Sequence, residues 1–287
     1  MSNFVTYVFS GLALGCSFAL LGCGFVAIHR VTGVVNFAQG AFAVVAGMVA
    51  SSFLGHGLPH GVAEALAVLI AGLAGLLVGI VAIGRPGTPV MASLLVTLGL
   101  GIAAYAAEIL IFGDQPRSFG MVSGSVVLAG AHLQTQFFVV IAATLAVYGG
   151  LVAFFGRTYV GKALTACFAS PYAARLVGIN VTRMGLLAFA LGGVLGGIAG
   201  VLLTPLQAVT FDSDVSFAVY GFAAAVFGGL VRITATLAGG LILGLAEALI
   251  GGYLNTQYQI AAALVVMLVI MVWQAGRRTA VTEEVAV

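Results

Sequence analysis

Residues 156–163 read GRTYVGKA. Gly156, Gly161 and Lys162 meet the spacing G-x-x-x-x-G-K, in which glycine amides cradle a nucleotide's phosphates and the lysine reaches the outer ones. The next position should supply the Ser or Thr hydroxyl that holds magnesium, and here it is Ala163. A phosphate loop also follows a buried strand in a βαβ unit, whereas this one follows the apolar run FFVVIAATLAVYGGLVAFF. The match is read as accidental, and the chain is expected to bind neither ATP, magnesium nor another cofactor directly.

Other reactive groups are sparse. Cys16 and Cys23 stand seven apart on one expected helix, roughly 10 Å along its axis at about 1.5 Å per residue, which is too far for a disulfide. Cys167 lies in another segment, so three small buried or interfacial thiols are expected. His56, His60 and His132 fall in expected outer loops without metal-ligand spacing, so no metal site is expected. Nucleophile, base and metal ligands are nowhere gathered, which argues against a membrane enzyme.

The polar residues inside apolar segments are the better candidates. Only Glu247 lies well inside such a segment, while Glu64 and Glu108 sit toward the ends of theirs. A charge in hydrocarbon is expensive and faces a partner or a cavity, so Glu247 either braces a helix bundle or lines a solute path. Asn36 and Gln39 share a face if helical, and Gly33 and Gly40 bracket them where a helix could open. Their amides donate and accept without the cost of burying charge, which suits a neutral or zwitterionic solute. Interhelical bonding that fixes the bundle is the other reading. Thr97 is a further path candidate, and Asp212 and Asp214 are expected in an outer loop.

The elements that position these residues follow from composition. Of 287 residues, 62% are hydrophobic and 6% charged, more apolar surface than a soluble domain can cover. The small net charge gives no sign of a nucleic-acid partner, and there is no basic run longer than Arg277-Arg278; the partner is the lipid bilayer. Windows near the length needed to span it fall at 4–28, 34–54, 62–83, 90–112, 137–155, 184–203, 215–230, 237–254 and 258–273. The expectation is an all-α integral membrane protein, a single transmembrane domain over 1–287. It would be a bundle of about 8–9 transmembrane helices in which 215–230 either crosses or re-enters.

With nine crossings and the N-terminus outside, Arg30, Arg85, Arg157, Lys162, Arg175, Arg183, Arg232, Arg277 and Arg278 fall inside and only Arg117 outside. That arrangement is the one basic residues favour, and it puts the C-terminus in the cytoplasm. The long inner connection is then 156–183 and the long outer one 113–136. Glycines recur four apart, at Gly11/Gly15, Gly75/Gly79, Gly193/Gly197, Gly196/Gly200 and Gly240/Gly244, as helices that approach closely in lipid require. Inside 156–183, Ser170-Pro171 reads as an N-cap and first helical residue, and Gly178 as a left-handed stop two turns later. So short a helix must dock on something.

The stretch GKALTACFASPYAARLVGINVTRMGLLAFALGGVLGGIAGVLLTP resembles the cytoplasmic coupling loop and following helix of the permease subunits of branched-chain amino-acid ABC importers, of the LivH type. GLALGCSFALLGCGFVAIHRVTGVVNFAQGAFAVVAG resembles that family's first span and its N-F-A-H-G signature, with Gln39 in place of His. FAAAVFGGL and AGGLILGLAEALIGGYL resemble its late glycine-rich segments, with Tyr220 where Lys is common. The resemblance implies a bacterial inner-membrane importer with two cytosolic ATPase subunits that bind ATP and magnesium. A second permease subunit, homologous or identical, and an extracytoplasmic substrate-binding protein complete it. It further implies that Gly161, Lys162, Ala163, Ala166, Pro171, Ala173, Ala174, Arg175, Leu176, Gly178 and Ile179 form the ATPase coupling segment. The expected solute is a branched-chain amino acid or a related small amphipathic molecule. An ion-coupled secondary transporter of neutral or zwitterionic solutes is the alternative, disfavoured because Glu247 alone is thin support for ion coupling.

Overall fold

The computed structural model describes residues 2–84, 88–120, 122, 124–128, 131–254, 258–261, 263–269 and 271–272. Arg85, Trp273, Arg277 and Arg278 lie outside these residues. The helices are α1 (Ser2–Thr32), α2 (Gln39–Gly55), α3 (Val62–Ile83), α4 (Val90–Phe112), α5 (Thr135–Arg157), α6 (Tyr159–Ala169), α7 (Pro171–Leu176), α8 (Val181–Leu203), α9 (Ser213–Phe227) and α10 (Ile233–Tyr253). Six of them, α1, α3, α4, α5, α8 and α10, are long and apolar enough to cross a membrane. α2, α9 and the stretch Gln259–Val269 are shorter apolar helices.

α2 begins later than the apolar run suggests. Gly33 adopts a left-handed φ of 72°, Thr32 Oγ1 accepts from Val34 N at 3.1 Å, and the chain stays open until Gln39. That leaves α2 with 17 residues and α9 with 15, rises of about 25 and about 22 Å against a hydrocarbon core of about 30 Å.

α1 is the hub, packed against α8, α9 and α10. Leu against Leu gains little in lipid, so backbone approach supplies the packing. A Cβ on Gly15 would stand 2.7 Å from Gly240 O, and one on Gly11 would stand 2.8 Å from Leu245 Cα. α3 crosses α8 at mid-length, where a Cβ on Gly75 would lie 2.9 Å from Gly193 Cα. Gly79 meets Phe189, Gly197 meets Ala71, and Gly200 leaves no room between itself and Ala43. Each of the five glycine pairs thus lies at a helix crossing.

Two connections are more ordered than a loop. The 113–136 segment contains an antiparallel hairpin, β1 (Ser125–Leu128) and β2 (Ala131–Gln134), in the register Ser125↔Gln134 to Leu128↔Ala131. The fold is therefore not purely helical: alternating exposure along β2, with Ala131 and Leu133 buried, gives this strand an inner face. The 156–183 segment holds α6 as well as the expected two-turn α7. All three cysteines are free and buried, and Cys23 Sγ donates to Tyr148 Oη at 2.9 Å.

Candidate functional site

The opening between α1 and α2 gathers two of the path candidates. Asn36 Oδ1 accepts from Ala38 N at 3.2 Å, and Thr97 Oγ1 of α4 accepts from Phe37 N at 3.3 Å while donating to Leu94 O at 2.9 Å. Side chains thereby satisfy backbone amides that the break leaves without helical partners, a requirement where water is absent. Asn36 is fully buried, and its Nδ2 has no hydrogen-bond partner among the described residues.

Gln39 points the other way. Its Nε2 donates to Gly192 O of α8 at 2.8 Å, in a slot that exists because Gly24, Gly192 and Gly196 carry no side chains. Gly192 is the middle residue of α8, so the amide is held at half the depth of the bundle. Asn36 and Gln39 do not share a helix face, since the turn at Phe37 and Ala38 separates them.

Glu247 is elsewhere again. It is buried in α10 and hydrogen-bonded to the Tyr220 hydroxyl of α9, and the Tyr220 ring stacks on Phe18 of α1 at 4.4 Å and 15°. Three helices meet on that contact, with one carboxylate oxygen, Oε2, unpaired among the described residues.

Two further acids, which the sequence placed only at a segment end and in an outer loop, come within range of each other in the structure. Glu108 of α4 is 1% exposed, and neither carboxyl oxygen has a hydrogen-bond partner among the described residues. Asp214 belongs to the first turn of α9 and is buried rather than standing in a loop, with Oδ1 accepting from Val215 N at 2.6 Å. The two lie within electrostatic range of each other. The available signal was Asp214 at the head of a short apolar helix; its pairing with Glu108 depends on tertiary structure.

A second site is built on α6 and α7. Thr158 caps α6, its Oγ1 accepting from Gly161 N at 3.0 Å while its carbonyl accepts from Lys162 N at 3.0 Å. The amides that imitate a phosphate cradle are thus spent in an ordinary helical first turn. Gly161 is a packing residue, since a Cβ there would sit 2.7 Å from Phe155 Cα. Ser170 caps α7 through Ala173 N at 3.2 Å, Pro171 opens it, and Gly178 ends it at φ 86°.

Of the coupling candidates, Lys162, Pro171, Ala173, Arg175, Leu176 and Gly178 are exposed, while Ala163, Ala166 and Ile179 are half-buried. Gly161 and Ala174 face the protein's own interior. Tyr172 and Val177, which the sequence did not single out, are about as exposed as Leu176, at 74%, 75% and 71%. The result is an apolar knob with one cation, Arg175.

The model of the branched-chain amino acid transport system / permease component family matches residues 7–273. The chain belongs to this family. This chain is similar to LivH of Escherichia coli (strain K12), a high-affinity branched-chain amino acid transport system permease protein. It is 27% identical to this chain over 292 residues, covering 95% of this chain and 94% of LivH. The probable branched-chain amino acid transport permease LivH of Methanocaldococcus jannaschii is 30% identical over 254 residues, 83% of this chain and 78% of the relative. The structure of PsaBC from Streptococcus pneumoniae in complex with Fab matches with a TM-score of 0.54 over 94% of this chain and 91% of that one, at 16% identity. That likeness is one of fold. Membership in the permease family makes the chain a multi-pass membrane transport component rather than an enzyme.

Proposed function

We propose that this chain is the membrane-spanning permease of an ATP-driven importer for branched-chain amino acids or related small amphipathic solutes. The carrying observation is the family match over 7–273; the exposed α7 knob adds a docking surface of the kind such an importer needs. Two cytosolic ATPase subunits bind ATP and magnesium, a second permease, identical or homologous, completes the path, and an extracytoplasmic binding protein delivers the solute. The chain acts as one domain of nine crossings in the bacterial inner membrane, with its N-terminus outside and its C-terminus in the cytoplasm.

In this reading α7 lodges in a cleft of the ATPase. Tyr172, Ala173, Leu176 and Val177 supply apolar contact and Arg175 meets an acidic partner surface. Lys162, Pro171 and Gly178 flank that contact, while Gly161, Ala163, Ala166, Ala174 and Ile179 hold the hairpin against the membrane helices. Asn36 and Thr97 border the solute path at the opening of α1 and α2. Gln39 and Glu247, both enclosed and bonded, hold the helices that frame it. Family membership favours this importer over ion-coupled secondary transport.

Affinity purification from the native membrane should bring down two ATPase subunits and a second permease. Ala173→Glu should abolish uptake without lowering the amount of permease in the membrane. A lone permease that drives ATP-independent uptake in liposomes would overturn the proposal.

A further inference from the structure

α4 and α9 do not close on each other. Between them lies a cavity of about 460 Å³, within the range of about 300–1,000 Å³ common to small-molecule sites. Leu98 and Ile102 of α4 and Val219 and Phe222 of α9 give it apolar walls, and Phe37, from the opening between α1 and α2, closes one side. Asp214 lines it as well. Glu108 follows Tyr105, another lining residue, by three positions on α4, and so continues the same helical stripe beyond the cavity.

The chemistry of this chamber is asymmetric. Its walls suit a branched hydrocarbon side chain, Asp214 lines one end, and beyond that end, within electrostatic range of Asp214, lies buried Glu108, neither of whose carboxyl oxygens is hydrogen-bonded among the described residues. A buried acid without a partner is costly, and a compact cation with several N–H donors relieves that cost.

We propose that the α4–α9 cavity holds the transported solute with its ammonium group between Glu108 and Asp214 and its apolar side chain against Leu98, Ile102, Val219 and Phe222. The carboxylate, where the solute has one, points away from this acidic end. The inference rests on the importer reading and adds a place and an orientation for the solute.

The test uses the purified transporter complex in nanodiscs, without its binding protein. Ile102→Cys is modified with a methanethiosulfonate reagent in the presence of leucine, 3-methylbutylamine or 4-methylpentanoate. Leucine and the amine are expected to slow modification at least fivefold, and the acid, which lacks the ammonium, to leave it unchanged. Adding Glu108→Gln and Asp214→Asn to the same chain should remove the protection. Equal protection by the acid, no protection by leucine, or an Ile102→Cys thiol that lipid or the second permease seals from the reagent would each overturn the proposal. The ligand comparison needs no acid variant, so misfolding of the double substitution leaves it decisive. ATP-driven uptake by the same complex, reconstituted in proteoliposomes together with its binding protein, is measured in parallel: uptake without protection sinks the cavity assignment alone, whereas absence of ATP-driven uptake sinks the importer reading.

Discussion

The Arg30 guanidinium lies 4.8 Å from the centre of the Phe168 ring. Phe155 flanks the same cation at 5.6 Å, so the end of α1 is pinned to α6, three residues before Gly33 opens the chain. Val31, the residue after Arg30, packs in one cluster with Leu164 and Cys167 of α6 and Ala174 of α7, so the hairpin and the break are joined by apolar packing as well as by the cation. Arg30→Gln removes an interaction of about 1 kcal/mol, which corresponds to about fivefold in an equilibrium. Solute moved per ATP hydrolysed in proteoliposomes should fall by about that factor at an unchanged membrane level. An unaltered ratio would show that α6 transmits force by another route.

Gly244 faces the Gly15 backbone with no space for a side chain. Gly244→Leu should force α10 from α1 and cost about 3 kcal/mol or more, seen as loss of the folded complex from detergent extracts. Gly149, in α5, has open space where its Cβ would be, so Gly149→Ala should be neutral or stabilise by about 0.5–1 kcal/mol. Thermal aggregation midpoints of the two variants, measured side by side, check the contrast. Equal behaviour would mean that these glycines do not set the helix spacing.

The Tyr220 hydroxyl and Glu247 should couple. Tyr220→Phe and Glu247→Gln are each expected to destabilise by about 1 kcal/mol, and the pair by less than the sum. Glu247→Leu alone, which strands the Tyr220 hydroxyl, should cost about 1–3 kcal/mol. Additive losses in a double-mutant cycle would argue that the contact carries no energy of its own.

Cys167 and Ala173 lie six residues apart on opposite sides of the hairpin surface. Burial pushes the Cys167 thiol up from its ordinary pKa, so it stays protonated, as well as covered, at neutral pH. Maleimide should label it slowly at pH 7, and Ala173→Cys at least tenfold faster. In sealed vesicles that contrast should appear only where the cytoplasmic face is outward; fast labelling from the opposite face would reverse the topology. Rapid modification of Cys167 in the folded protein would contradict its packing beneath α7.

Much of this fold was readable from the chain. The bounds 62–83 and 90–112 match α3 and α4 because Gly61 and Gly84, Pro89 and Gly113 punctuate the apolar runs. α7 announced itself through Ser170, Pro171 and Gly178. The late start of α2 did not, because VVNFA is apolar enough to pass for helix while Gly33 and the Asn36 turn decide otherwise. α6 was hidden for a related reason: YVGKALTACFA is short and mixed, and what makes it helical is its packing on α5 through Gly161 and on α1 through Arg30 and Phe168. Of the path candidates, Asn36 and Thr97 were chosen for their amide and hydroxyl chemistry and meet in space. Glu108 and Asp214 meet only once α4 and α9 are set beside each other, and no spacing encodes that.

α1 is the most deeply buried of the long helices, yet the helices it packs against most, α8, α9 and α10, all come after α2 to α7 in the chain. Until they emerge, the groove formed by Gly11 and Gly15 lies open to lipid. Gly11 and Gly15 therefore gain the backbone they pack against only once α10 has been made.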